Sequence, residues 1–157
     1  MSDAGLVIEA RPYADPDVTR MVAEVQAVYV EMYGSPDEAA VVDDEFVPPA
    51  GLLLVGVLDG VAVAMGGWRV LPDGSAEIKR MYVSPAVQRR GLGRVMLREV
   101  ERTAAAAGVT TLVLNTGPHQ HAAIALYEQT GYRPVPPFGH YADLSEALFL
   151  GKNLGRS

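Results

Sequence analysis

The chain has 157 residues, 49% of them hydrophobic, and a formal net charge of −6, which suits one globular domain with a sizeable core, expected over residues 6–157. It has no cysteine, which excludes disulfides and thiolate-bound metals, and its acidic balance argues against nucleic-acid binding through a broad basic face. No apolar run approaches the roughly 18 residues of a membrane span and no charged start leads into an apolar signal segment, so the expected location is cytoplasmic, with no membrane partner.

The lead-in contains one candidate edge strand, Leu6 to Arg11. Asp15-Pro16 then offers an N-cap followed by proline at the first helical position. Val18, Met21, Val22, Val25, Tyr29 and Met32 recur at helical spacing, and Gly34 stands where a C-cap glycine would. Ser35-Pro36-Asp37-Glu38 has a capping-box pattern that predicts a second short helix toward Val42, followed by an acidic, proline-rich loop from Asp43 to Ala50.

Gly51 to Leu58 and Val61 to Val70 are apolar, β-branched runs joined by Asp59-Gly60, a two-residue hairpin signal. Leu71-Pro72-Asp73-Gly74 turns the chain into a third strand, Ala76 to Val83. The three form an antiparallel meander. Ser84-Pro85 stops the strand, and Leu92, Val95, Met96 and Val100 mark a helix running to about Ala107, capped by Gly108. Thr110 to Asn115 reads as a short buried strand, and a strand–helix–strand unit implies a right-handed crossover and a parallel pair. Ala122 to Thr130 predicts another helix, closed by Gly131. Proline-rich Pro134 to Pro137, a polar loop through Asp143 and a last strand, Ala147 to Leu150, complete the chain.

The most informative stretch is Arg89-Arg90-Gly91-Leu92-Gly93-Arg94, between a strand and a helix. A helix N-terminus leaves four backbone N–H groups unpaired and carries partial positive charge, so it seats an anion. Gly91 and Gly93 remove side chains where a phosphate must approach the backbone, and three arginines surround that seat. Without an anion, three cations there would oppose the helix dipole. The pattern reads as a pyrophosphate cradle. It is not a dinucleotide fingerprint, because Met96 stands where the third glycine belongs and no acidic residue ends a following strand. Nor does it contain the Gly-Lys-Ser/Thr of a Walker loop.

The run Glu77-Ile78-Lys79-Arg80-Met81-Tyr82-Val83-Ser84-Pro85, followed by Gln88-Arg89-Arg90-Gly91-Leu92-Gly93-Arg94, resembles the acetyl-coenzyme A segment of the GNAT N-acetyltransferase superfamily. Ala122 to Tyr132, with Tyr127-Glu128-Gln129-Thr130-Gly131-Tyr132, is similar to the second signature of that family. The two cover roughly residues 76 to 133, in the family order. The fold class implied is α/β (α+β mixed): the GNAT acyl-CoA N-acyltransferase fold, a central mixed, mostly antiparallel sheet flanked by helices.

The resemblance implies an acetyl-CoA-dependent acyltransferase that moves acetyl directly to an amine, without a covalent enzyme intermediate. The missing cysteine agrees, since the best acyl-accepting nucleophile is absent. By resemblance, backbone groups of Met81, Tyr82 and Val83 hold the pantetheine arm, and Arg89, Arg90, Gly91, Leu92, Gly93 and Arg94 take the pyrophosphate. Gln120 stands seven residues before Tyr127, where many relatives have an asparagine at the cofactor; the alternative is an N-terminal helix residue. Tyr127 matches the general-acid position, against an amphipathic core tyrosine. Glu77 matches the general base of some relatives, against a cross-strand partner for a lysine or arginine.

His119, His121 and His140 lack an accompanying acidic ligand pattern, so no metal is expected. His140 belongs to a loop resembling the acceptor wall of relatives, or is a surface histidine. Tyr29, Tyr33, the Asp43-Asp44-Glu45 run and the loop from Phe138 to Asp143 are expected around the acceptor, a small-molecule or peptide amine. The resemblance also raises a homodimer, with the apolar C-terminal strand as its surface. The competing classes are a non-catalytic acyl-CoA sensor on the same fold, and an acyltransferase using another acyl chain or a hydroxyl acceptor.

Overall fold

The computed structural model describes residues 5–39 and 41–155. Among them runs one seven-stranded sheet, in the order β1 (Val7–Ala10), β2 (Gly51–Leu58), β3 (Val61–Val70), β4 (Ala76–Val83), β5 (Thr111–Thr116), β7 (Leu148–Asn153), β6 (Arg133–Pro134). Every neighbouring pair is antiparallel except β4 with β5, the parallel pair of the strand–helix–strand crossover. The mixed, mostly antiparallel α/β sheet flanked by helices is therefore the architecture observed.

Three helices cover its two faces: α1 (Pro16–Tyr33), α2 (Leu92–Ala106) and α3 (His121–Gln129). The Asp15 carboxylate caps α1 by accepting from the Asp17 N–H at 2.8 Å, a cap worth about 1 kcal/mol. Gly34 ends it in the left-handed region, its N–H donating to the Val30 carbonyl at 2.8 Å. Val18, Met21 and Val25 of α1 pack on Leu53, Val55, Met65 and Tyr82. The opposite sheet face, with Leu54, Ile78 and Leu112, carries Met96, Leu97 and Val100 of α2 and Tyr127 of α3. Leu53 and Leu54 go to opposite faces, as the period of two demands.

Two expectations need correction. The described residues between Ser35 and Val42 are not helical: the Asp37 carboxylate is taken by Lys79, Arg80, Tyr141 and its own Ala39 N–H. With the Asp37 backbone also bound to Gln26 and the Glu38 N–H donating to the Tyr141 hydroxyl, long-range contacts hold this segment in an irregular path. The stretch Asp43–Phe46 is a short 3-10 turn inside the expected loop, with Glu45 reaching back to accept from the Val42 N–H at 3.0 Å. The end of the chain also differs: β7 runs on to Asn153, and Arg133–Pro134 adds β6 beside it. The C-terminal strand is thus flanked on both edges, by β5 and β6.

One irregularity positions the site. The β3–β4 register shifts between Met65 and Gly67, so Arg80 and Met81 bulge opposite Gly66. Arg80 takes up the extra residue at φ 63°. A Cβ on Gly66 would sit 2.4 Å from the Met81 sulfur, so a side chain there would displace Met81 from its place on the cleft wall. Ahead of the bulge, past Glu77, β4 leaves β5. The two pair only at Ala76 with Leu112 and Glu77 with Val113.

Candidate active site

The divergence of β4 from β5 opens a cleft of about 370 Å³, within the range of small-ligand sites. Ile78 to Met81 form one wall and Leu114 to Thr116 the other, and the C-terminal end of α1, α3 and the 141–147 segment close it. The edge of β4 past Glu77 has no strand partner on that side. Such an edge can receive an extended ligand as an added strand.

Tyr127 is 95% buried from solvent, with 5% exposure, yet it lines this cleft. Its ring packs edge-on against Tyr132 at 5.4 Å, while its hydroxyl makes no hydrogen bond among the described residues. Burial, then the neighbouring Tyr29, pushes its phenol above the ordinary value. Tyr29, also on the cleft wall, is pushed up to about 12, by burial first and then by the charge of Asp37. A neutral phenol with no partner among the described residues, lining this cleft, can donate a proton to a group placed there.

At the start of α2, Gly91 caps the helix in the left-handed region, at φ 77°, and offers no side chain to its first N–H groups. The first turn contains no acidic residue. Arg89 and Arg90 are exposed; Arg94, also exposed, reaches Gln129 at 3.3 Å. A Cβ on Gly93 would lie 3.5 Å from Leu126 and 3.9 Å from Val83, so this turn faces the strand end and α3. Uncapped N–H groups, three cations and a bare backbone fit a diphosphate. Gln120 is the N-cap residue of α3, lies on the cleft wall and makes no side-chain cap bond. Met81 lies on the same wall, while the Tyr82 side chain turns away to α1, its hydroxyl donating to Glu24 at 2.9 Å. Buried Thr116 also lines the cleft, and its hydroxyl has no partner among the described residues.

Glu77 lies elsewhere. It is the register partner of Arg69, which binds its carboxylate at 3.1 Å and Glu45 at 2.7 Å. Glu77 lines a second cavity, with His140, that adjoins the first at Asn115. The expected acidic run 43–45 lines neither cavity, which corrects its placement around the acceptor; Glu45 is committed to Arg69. Tyr29, Tyr33 and Tyr141 do reach the first cavity. Tyr33 closes it on one side, its ring stacked on His119 at 5.4 Å and its hydroxyl accepting the His119 N–H at 3.2 Å.

Sequence reasoning missed Asp37, Lys79, Arg80 and Thr116. Lys79 and Arg80 both bind one oxygen of Asp37, at 2.9 and 3.1 Å, in the cleft floor. Their signal was present: adjacent strand residues point to opposite faces, so two neighbouring cations in a central strand cannot both be solvated.

The model of the acetyltransferase (GNAT) family matches residues 18–132. The chain belongs to that family. It is an acyltransferase. Its relatives include an IAA acetyltransferase of Azospirillum brasilense, 30% identical over 138 residues, covering 87% of this chain and 90% of that protein. The human N-acetylaspartate synthetase is 29% identical over 132 residues, covering 83% of this chain and 44% of that protein. Among solved structures, a Klebsiella pneumoniae chain classed among the acyl-CoA N-acyltransferases superposes with a TM-score of 0.83 at 28% identity, over 98% of this chain and 100% of that one. A GNAT acetyltransferase from Elizabethkingia anophelis with acetyl-CoA bound shares the fold, with a TM-score of 0.71 at 16% identity, over 97% and 99% of the two chains.

Proposed function

We propose that this acetyltransferase moves the acetyl group of acetyl-CoA directly to a primary amine. The observation that carries the reading is the Tyr127 hydroxyl, without a partner among the described residues, in the cleft between β4 and β5, with the uncapped first turn of α2 close to Val83 at the end of β4 and to Leu126 of α3. In this reading the pantetheine arm lies along the free edge at Met81 to Val83, and the diphosphate takes the N–H groups and arginines of residues 89–94, with Gln120 across from it.

The amine attacks the thioester carbonyl. A carbon–nitrogen bond forms and the carbon–sulfur bond breaks, passing through a tetrahedral oxyanion. A backbone N–H at the bulge around Met81 supports that oxyanion, an interaction worth about 3–4 kcal/mol where it has been removed elsewhere. The departing thiolate takes its proton from the Tyr127 hydroxyl, and the proton released by the attacking nitrogen as the amide forms restores the phenol. The incoming ammonium must first lose a proton, at a cost of roughly 4.6 kcal/mol at pH 7 for an alkyl amine. In this reading Glu77 accepts it through water; Asn115 lines both its cavity and the cleft.

Coenzyme A thiol release over a panel of amines tests this. Turnover by the wild type that collapses in Tyr127→Phe supports it. Acetyl-CoA binding with no thiol release for any amine contradicts it.

A further inference from the structure

The cleft floor holds an imbalance of charge. Lys79 and Arg80 have side chains only 7% and 5% exposed, and they share a single carboxylate, Asp37. Lys79 spends one of its three N–H donors on Asp37. Arg80 spends Nε on the Tyr13 hydroxyl at 3.0 Å and one Nη1 donor on Asp37. The remaining donors of both have no partner among the described residues. The other charged group on this wall, Glu146, is exposed at the rim. Two buried cations therefore face one buried anion, and an unmatched buried charge is costly.

The surplus is not cancelled from the neighbouring cluster. There Arg69 is shared by Glu45 and Glu77, so that side has the opposite excess, two carboxylates to one guanidinium. Glu77 and Lys79 lie on the same face of β4, two residues or about 7 Å apart. The strand is thus polarised along this face, with the cation-rich group in the cleft and the anion-rich group bordering the second cavity. The donor molecule does not supply the missing anion, because its diphosphate belongs at α2 and its pantetheine arm is neutral. The unpartnered Thr116 hydroxyl on the same cavity independently calls for a polar ligand.

We infer that the acceptor is a small amine that also carries a carboxylate, and that Lys79 and Arg80 bind this carboxylate with their unused N–H donors. The inference rests on the acetyl-transfer reading and names its substrate class. Lys79 and Arg80 select the acceptor, and the ammonium end of the substrate points toward the anion-rich side.

The test is a thiol-release assay in which each of the common amino acids is run beside its own carboxamide on the wild-type protein. The carboxamide has the less basic amine, so proton loss alone would favour it, and a preference for the acid cannot arise there. At least one amino acid should exceed its carboxamide tenfold or more in kcat/KM. Lys79→Gln should narrow that ratio below threefold, through KM, and Lys79→Arg should restore it. Carboxamides equal to or better than the acids, or cationic polyamines better than both, overturn the inference while leaving acetyl transfer intact; the cations then serve only the oxyanion or the fold. Silence from every amino acid overturns it too. If acetyl-CoA also fails to raise the melting temperature, the acetyl-transfer reading falls with it.

Discussion

Arg69 and Glu77 face each other across β3 and β4, a guanidinium nitrogen 3.1 Å from the carboxylate, with both side chains largely buried. This pair sets the main alternative for Glu77. A purely structural partner and a proton acceptor make different demands on its charge. If Glu77 accepts the proton of the amine, Glu77→Gln should lower kcat by about 10²-fold, the lower end of general-base effects. The loss should shrink as pH rises and the amine deprotonates unaided. A structural role would instead lower the melting temperature and leave the pH profile of the surviving activity unchanged. The pH–rate profile of the variant decides between them.

Tyr127→Phe separates chemistry from binding. The substitution keeps the edge-on ring contact with Tyr132 and removes a hydroxyl that has no partner among the described residues, so the variant should fold with unchanged or slightly higher stability. We expect kcat to fall about 10²-fold and the Kd for acetyl-CoA to change less than threefold. Calorimetry beside steady-state kinetics reads both.

The same tyrosine predicts the alkaline behaviour of the enzyme. Burial raises its phenol above the ordinary value of 10.0, so the protonated, donating form persists throughout the range below that value. Activity should therefore climb with pH as the amine loses its proton and show no Tyr127-dependent decline below about pH 10. A descending limb near neutrality, absent in Tyr127→Phe, would contradict this.

Asp37 gives a stability prediction whose sign follows from its environment. Burial alone would raise its carboxyl, but the charge and hydrogen bond of Lys79, the Ala39 N–H and the Tyr141 hydroxyl outweigh it and hold it at about 2, below the ordinary 3.8. A depressed carboxyl contributes stability above its unfolded value, which is lost as pH falls from about 4 to 2. With partial screening by solvent, the increment is about 1–2 kcal/mol. Acid titration of the melting temperature should show this loss in the wild type and a flatter curve in Asp37→Asn. At pH 7, Asp37→Ala should cost about 3–5 kcal/mol, because two buried cations lose their anion.

Much of the frame was legible in the chain. The Asp59-Gly60 turn joins β2 and β3 at the expected residues, and Asp15-Pro16 and Gly34 bound α1, because hairpin turns and helix caps are local chemistry. The glycine cap of α2 and the position of Tyr127 on α3 were legible too, the first as a local cap and the second through the family resemblance. What escaped depends on distant partners. Asp37 looked like a helix start, and only the folded chain brings it to Lys79 and Arg80, 42 and 43 residues on. Residues 133–134 looked like proline loop, and pair only because β7 extends to Gly151 beside them. Glu77 was visible as a candidate, but its hold on Arg69 depends on the β3–β4 register.

The central claim is that the acyl donor lies between β4 and β5 with its diphosphate on the first turn of α2. Calorimetric titration of acetyl-CoA into the wild type, Gly93→Ala and Gly93→Glu tests it most directly. The space at Gly93 admits a methyl group in ordinary contact with Leu126 and Val83, so the alanine variant reports on folding. The glutamate variant sets an anion in the diphosphate seat. The account predicts saturable binding by the wild type, retained in Gly93→Ala and weakened at least 100-fold, about 2.7 kcal/mol, in Gly93→Glu. No binding by the wild type, or binding by Gly93→Glu within threefold of it, would contradict the account.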